Sequence, residues 1–236
     1  MLAALGCATA GPPPAAARAP GDVLDLADWK LQLPVGEPGA VTEIRQPELR
    51  TFVLSPYFQL DPTGHAVLFR APAGGVTTPH SQYPRTELRE MATGGRVNAA
   101  WSTTSGAHTM TITLAVNHLP QVKPQVVVGQ IHDGTSYVVM IRLEGPRLFV
   151  MMDGRDVGTL DPAYVLGRRF TVRIEASGGH IRVYHDDLAA PKVDVTRAAS
   201  TCYFKAGVYT QSNPAHGDAP DAYGEVIIAA LTVGHR

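Results

Sequence analysis

The sequence predicts an all-β protein, an antiparallel β-sandwich of the jelly-roll kind with a concave groove on one face. Three observations support this. Short alternations of apolar and polar residues recur along the chain, glycine, proline and aspartate punctuate them, and long helical periodicity is absent. The 23 glycines and 19 prolines are spread between these runs, as a chain of many short strands and turns requires. A parallel sheet would need crossover helices, for which the sequence has no pattern.

The first residues, MLAALGCATAGPPPAAARAP, pass from a short apolar run into a Pro/Ala-rich stretch that cannot bury enough surface to fold. Residues 1–21 therefore read as the remnant of a secretory leader or a disordered tail. The apolar run is too short to span a membrane and lacks a basic flank. Secretion to the extracellular side is the expectation. Cys7, after LAALG, also resembles a lipoprotein acylation site, although Ala4 stands where leucine is usual. The other cysteine is Cys202, so neither a structural disulfide nor a C-x-x-C metal motif is expected.

Residues 22–236 read as one domain, long enough to close a single sizeable core with 44% apolar and 17% charged residues. LDLADWKLQLP gives the first alternation, suited to anchoring a sandwich edge. TEIRQPELRTF reads as a short helix or turn near 44–52. Period-two segments then follow: AVLFRAP, SQYPRTELREM, HTMTITLAVNHL, PQVVVGQIHDG, SYVVMIRLEG, RLFVMMDG, RFTVRIEAS, HIRVYHDD, CYFKAGVYTQ and GEVIIAALTVG. Hairpin-type turns fall at EGPR, MDGR and ASGGH. Twenty basic against 21 acidic residues leave a formal charge of -1, so nothing marks a nucleic-acid or membrane-surface partner. Any preference for a polyanion must be local.

Three strands carry reactive side chains on their polar face. In CYFKAGVYTQ, alternation sets Tyr203, Lys205, Gly207, Tyr209 and Gln211 against Phe204, Ala206, Val208 and Thr210. In VVVGQIHDG, Gln130 and His132 share one face, and Ile131 is expected to point the other way together with Val127. In RTELRE, Arg85, Glu87 and Arg89 oppose Thr86 and Leu88. Side by side, these faces would line a groove with Arg, Lys, His, Gln and Tyr.

At these residues the chain resembles the alginate lyases of polysaccharide lyase family 7, whose signatures are R-[ST]-E-L-R, Q-[IV]-H and Y-F-K-A-G-x-Y-x-Q. They read here as Arg85 to Arg89, Gln130-Ile131-His132, and Tyr203 to Gln211, in that order. The likeness extends to LDLADWKLQLP, to the TTPHSQYP approach to Arg85 and to the closing strand, covering roughly residues 22 to 236. It implies cleavage of alginate or a related polyuronate by β-elimination. It also implies catalytic roles for Arg85, Gln130, His132 and Tyr209, with an isoleucine at 131 accompanying guluronate-containing blocks.

The chemistry explains those residue types. Eliminating a 4-linked uronate means removing the weakly acidic C5 proton, alpha to a carboxylate, and expelling the C4 oxygen. An ionised carboxylate resists further negative charge, so donors must first neutralise it. Arg85 offers a two-pronged cation and Gln130 an amide for that task. An imidazole, titrating near pH ~6.5, suits the base, and a phenol, near ~10, suits the acid. For guluronate, proton and oxygen leave from opposite faces, which suits separate His132 and Tyr209. For mannuronate they leave from the same face, where Tyr209 could serve both roles.

Lys205 and Arg89 are expected to bind carboxylates of neighbouring sugars, and Gln211 and Tyr203 to bond hydroxyls or orient Tyr209. Glu87, between two arginines, belongs with the substrate-binding set and is expected to orient Arg85 or Arg89. The remaining histidines, His80, His108, His118 and His216 among them, show no ligand spacing and read as surface or loop residues. Trp29 and Trp101 read as core, and His185-Asp186-Asp187 as a turn that could at most hold calcium. No metal and no cofactor is expected, and the chain should act as a monomer. Three rivals remain: a lyase for another polyuronate such as a glucuronan, a glycoside hydrolase, which would need paired carboxylates that no strand supplies, and a non-catalytic polyuronate-binding module.

Overall fold

The computed structural model describes residues 18–236; the expectations for Cys7 and for most of the leader lie outside the described residues. Sixteen strands follow in chain order. They are β1 (Trp29–Glu37), β2 (Ala40–Ile44), β3 (Phe58–Leu60), β4 (Val67–Pro72), β5 (Arg85–Ala92), β6 (Val97–Asn98), β7 (Ala107–His118) and β8 (Gln125–His132). The second half holds β9 (Tyr137–Glu144), β10 (Arg147–Met152), β11 (Arg155–Asp161), β12 (Phe170–Ser177), β13 (His180–His185), β14 (Val193–Thr196), β15 (Tyr203–Thr210) and β16 (Tyr223–His235). Helical structure among the described residues is confined to three 3₁₀ turns, one of which, Glu48–Arg50, falls inside the 44–52 segment.

The strands form two antiparallel sheets. One runs β11-β10-β9-β8-β15-β5-β1-β2, with β6 attached to β5; the other runs β14-β13-β12-β7-β16-β4-β3. This is the jelly-roll sandwich that the alternation predicts. β1 lies one strand in from the edge, because the chain folds back through β2, which takes the edge position.

The inner faces meet in one core. Leu31, Leu33, Leu88, Ile131 and Phe204 come from the nine-stranded sheet, and Phe69, Met110, Ile112, Leu114 and Phe170 from the other. Burying each such side chain stabilises the fold by roughly 1.5–3 kcal/mol. Trp29 is buried in this core, and Trp101 packs against it. His108 departs from the sequence expectation. It lies on β7 and is buried, stacked on Trp101 and bonded to His235 and to the Ser105 carbonyl. A flat ring satisfied at both nitrogens fits an interior position that spacing alone could not reveal.

Candidate active site

The three motif segments become adjacent strands, with β15 between β5 and β8. Register places Tyr209 beside Arg85, Gly207 beside Glu87 and Lys205 beside Arg89; on the other flank, Tyr203 pairs with His132 and Lys205 with Gln130. Phe204, Ala206, Val208, Leu88 and Ile131 enter the core, so the polar members between them share the opposite face. Gly207 is required where it stands. Its φ is +143°, and a Cβ there would lie 2.5 Å from the Thr86 carbonyl oxygen.

β8 corrects one expectation. Ile131 joins the core with Val126 and Val128, while Val127, though buried, does not. The register shifts between Val127 and Gly129 against β9, and opposite, between Ala206 and Tyr209, along β15. This bulge reverses the parity of the strand, which strict alternation cannot anticipate. Gly129 marks the place: a Cβ there would meet the Ile112 side chain at 3.0 Å.

Glu87 organises the site from beneath. Its carboxylate receives Lys205 Nζ at 2.6 Å, Arg85 Nη1 at 3.2 Å and the amide of Gln130. Glu87 is fully buried, so it cannot contact a ligand, and its place among the substrate-binding residues is corrected: it orients Arg85, Lys205 and Gln130. Nor does it hold Arg89. That guanidinium donates to the Glu90 carbonyl and stacks 3.9 Å over the Tyr203 ring. Burial pushes the Glu87 carboxyl up, but the charges of Lys205 and Arg85 outweigh it and hold it below the usual carboxylate range. One carboxylate cannot hold two cations equally. Burial, reinforced by the Arg85 charge, lowers Lys205 to about 8 despite its contact with Glu87. Lys205 and Gln130 are nearly buried as well, so little of either reaches the groove.

His132 has its tautomer set by its neighbours. Nδ1 lies 2.7 Å from the Asp133 carbonyl oxygen, which can only accept, and 3.0 Å from the Tyr203 hydroxyl. The proton therefore sits on Nδ1, leaving the Nε2 lone pair free of any partner among the described residues. Burial lowers the His132 pKa below the ordinary 6.5; the Asp133 carbonyl opposes this, and the charges of Lys205 and Arg85 add to it. A neutral imidazole with an open Nε2 is a base at neutral pH.

At the other end of the face, Arg85 stacks 3.8 Å over the Tyr209 ring. Sequence reading leaves one residue here unassigned. Ser81 places its Oγ 3.0 Å from the Tyr209 hydroxyl and 3.1 Å from Arg85 Nη2, and its own backbone neighbour Tyr83 fixes it through the peptide nitrogen and carbonyl. TTPHSQYP contains it, but no spacing rule links a loop serine to a strand 128 residues away. Arg85 Nε and Gln211 Nε2 are buried donors without protein partners. No group of three or more metal-ligating side chains occurs among the described residues.

Among the groove-facing positions of β5, β15 and β8, the one carboxylate is buried Glu87, set against Arg85, Arg89 and Lys205. Such a face suits an anionic sugar chain and lacks the exposed carboxylate pair of a hydrolase; with the sandwich it defines a β-sandwich polysaccharide lyase. The alginate lyase family model matches residues 24–235, and the chain belongs to that family, polysaccharide lyase family 7. It is 52% identical to the family 7 alginate lyase AlgAT5, covering 93% of this chain and 100% of that one with a TM-score of 0.90. It is 43% identical to an alginate lyase from Corynebacterium sp., covering 92% and 98% with a TM-score of 0.88. A Klebsiella pneumoniae alginate lyase is 26% identical over 302 residues, spanning 100% of this chain and 97% of the relative. The family 7 lyase A1-II′, 30% identical at a TM-score of 0.79 and covering 93% and 100%, has been crystallised with a GGG product. The chain is thus an alginate lyase by family and by fold.

Proposed function

We propose that this lyase cuts guluronate-containing or mixed blocks of alginate internally, by β-elimination at Arg85, Gln130, His132 and Tyr209. Arg85 presents the sugar carboxylate with its unpartnered Nε and the remaining hydrogens of its Nη groups. Gln130 keeps one amide hydrogen beyond the one given to Glu87. Both are fixed before substrate arrives, so charge developing on the carboxylate needs little reorganisation. His132 Nε2 takes the C5 proton, and Tyr209 protonates the C4 oxygen. Electrons from the broken C5–H bond form the C4–C5 double bond as the C4–O bond breaks.

The observation that carries this reading is the neutral His132 with its free Nε2, on the strand that also holds Gln130 against Glu87. The GGMG substrate bound by A1-II′ supports guluronate-containing blocks. Ile131 lies in the core, so any influence it has on block preference acts through packing beneath Gln130 and His132. Secretion belongs to the same proposal, since a polymer too large for uptake is cut outside the cell.

The product decides among the readings. Elimination yields an unsaturated uronate with new ultraviolet absorbance on polyguluronate, polymannuronate or glucuronan, whichever is cut. Reducing ends without that absorbance would mean hydrolysis, and neither signal would mean a binding module.

A further inference from the structure

We infer that Lys123, Tyr83 and His216 form a binding subsite for the carboxylate of a neighbouring uronate, beyond Tyr209 on the groove; the inference rests on the lyase reading, which supplies the polymer. Lys123 Nζ donates to the Tyr83 hydroxyl at 2.8 Å, lies 3.3 Å from His216 Nε2 and sits 4.7 Å from the centre of the Tyr83 ring. The Tyr83 hydroxyl donates in turn to His216 Nε2 at 2.8 Å, and the two rings stack. Tyr83 also meets the Tyr209 ring edge-on, with centroids 6.3 Å apart. A lysine cation is therefore held one aromatic ring away from the phenol proposed as the acid.

The three residues come from three separate loops, which are cross-linked for the purpose. Asp218, nearly buried, accepts the backbone N–H groups of Gln121 and Val122 at 2.8 Å, that of Lys123 at 3.0 Å, and the Ser212 hydroxyl at 2.6 Å. Asn213 Nδ2 donates to the Gln82 carbonyl, joining the loop that carries Tyr83. A buried carboxylate accepting four bonds makes the position of Lys123 a built feature, where an ordinary surface lysine would wander.

Chemistry selects the ligand. The ammonium has three donors, and the two partners it has, a phenol and an imidazole, are neutral acceptors, so its charge is uncompensated where Lys205 and Lys30 each have a glutamate. A second donor is at hand in Gln211, two residues beyond Tyr209 on the same face. Its Nε2 has no partner, and its backbone N–H bonds to Gln125, which bonds to the Lys123 carbonyl. A neutral sugar would leave the cation unmatched, whereas a uronate brings a carboxylate with every repeat.

The test compares the wild type with Lys123→Gln and Lys123→Arg, using oligoguluronates of increasing length. With cleavage followed by absorbance, Lys123→Gln should raise KM for long oligomers roughly three- to tenfold, as the loss of one exposed charge-assisted contact implies. Turnover should hold, KM for the shortest cleavable oligomer should change less, and Lys123→Arg should restore most of the loss. Calorimetric titration of a long oligomer into Tyr209→Phe, with and without Lys123→Gln, reads binding where no cleavage occurs. Equal affinity in that pair, or equal KM at every length, overturns the subsite. A wild type that binds the oligomer more tightly than Lys123→Gln but creates no absorbance would overturn the lyase reading alone.

Discussion

Two clusters of the same residue types sit on opposite sides of this sandwich. Around Glu87, on the groove face, Arg85 and Lys205 are nearly buried and share one carboxylate with Gln130. Around Arg182, on the seven-stranded sheet, Glu175 and Asp194 flank a guanidinium at 3.3 and 3.2 Å, with side chains 28 to 40% exposed. Water and salt screen the second set, and its members can separate at little cost. The first set cannot part without leaving charges buried and alone. Preorganisation for chemistry therefore comes from where the charges lie, since the same side-chain types elsewhere only decorate a surface.

Breaking the buried cluster should have the largest effect. Glu87→Ala leaves Arg85, Lys205 and Gln130 without their common acceptor, and we expect stability to fall by about 3–5 kcal/mol. Cleavage should be lost even at temperatures where the variant remains folded. Urea unfolding and the absorbance assay check both; a stable, fully active variant would mean that Glu87 does not hold the donors in place.

Tyr209→Phe sharpens the comparison by sparing the cluster and removing one hydroxyl. Turnover should drop by roughly 10²–10⁴, the range for a positioned acid, with little change in oligosaccharide affinity, because the ring that stacks under Arg85 remains. An unchanged rate would take Tyr209 out of the proposed acid role.

pH probes the cluster without mutation. Below its pKa His132 carries a second proton and cannot act as base. Since that pKa is lowered, the acid limb of kcat/KM should fall below 6.5. A limb at or above 6.5 would contradict the buried, cation-flanked setting of the ring. Lys205 acts at the other end. It titrates near 8 when folded and near 10.5 when unfolded, so the unfolded chain binds more protons across that window. Its contribution to stability thus grows as pH rises from about 8 toward 10.5, while the groove loses a cation and KM for a polyanion should rise.

The legible part of the fold divides along the same line between interior and periphery. Each of the interior strands was marked by apolar alternation. Those left unmarked are β6 and the sheet edges β2, β3, β11 and β14. Edge strands pair on one side only and tolerate a polar composition, as in RDVGTLD of β11. Within the site, the motifs located Arg85, Gln130, His132 and Tyr209 and put them on one face. They could not show that Glu87 lies under that face, because one period-two pattern fits both a groove-lining and a buried carboxylate. The bulge of β8 was equally hidden: Gly129 permits it, but the register that produces it belongs to β9 and β15. Ser81 and Lys123 depend on loops meeting across more than ninety residues of sequence, a distance over which no spacing rule operates.

The exposed cluster supplies the smallest effect and the control for the rest. Arg182→Ala removes a guanidinium shared between Glu175, Ser177 and Asp194. Asp194 keeps His180 at 2.8 Å, and water reaches every group left behind. Unfolding free energy should therefore change by less than about 1 kcal/mol, and by less still in high salt. Cleavage should not change, because no strand of the groove is touched. Measured beside Glu87→Ala in the same urea series, a loss of similar size would show that burial is not what separates the two clusters, and preorganisation of the groove would need another cause.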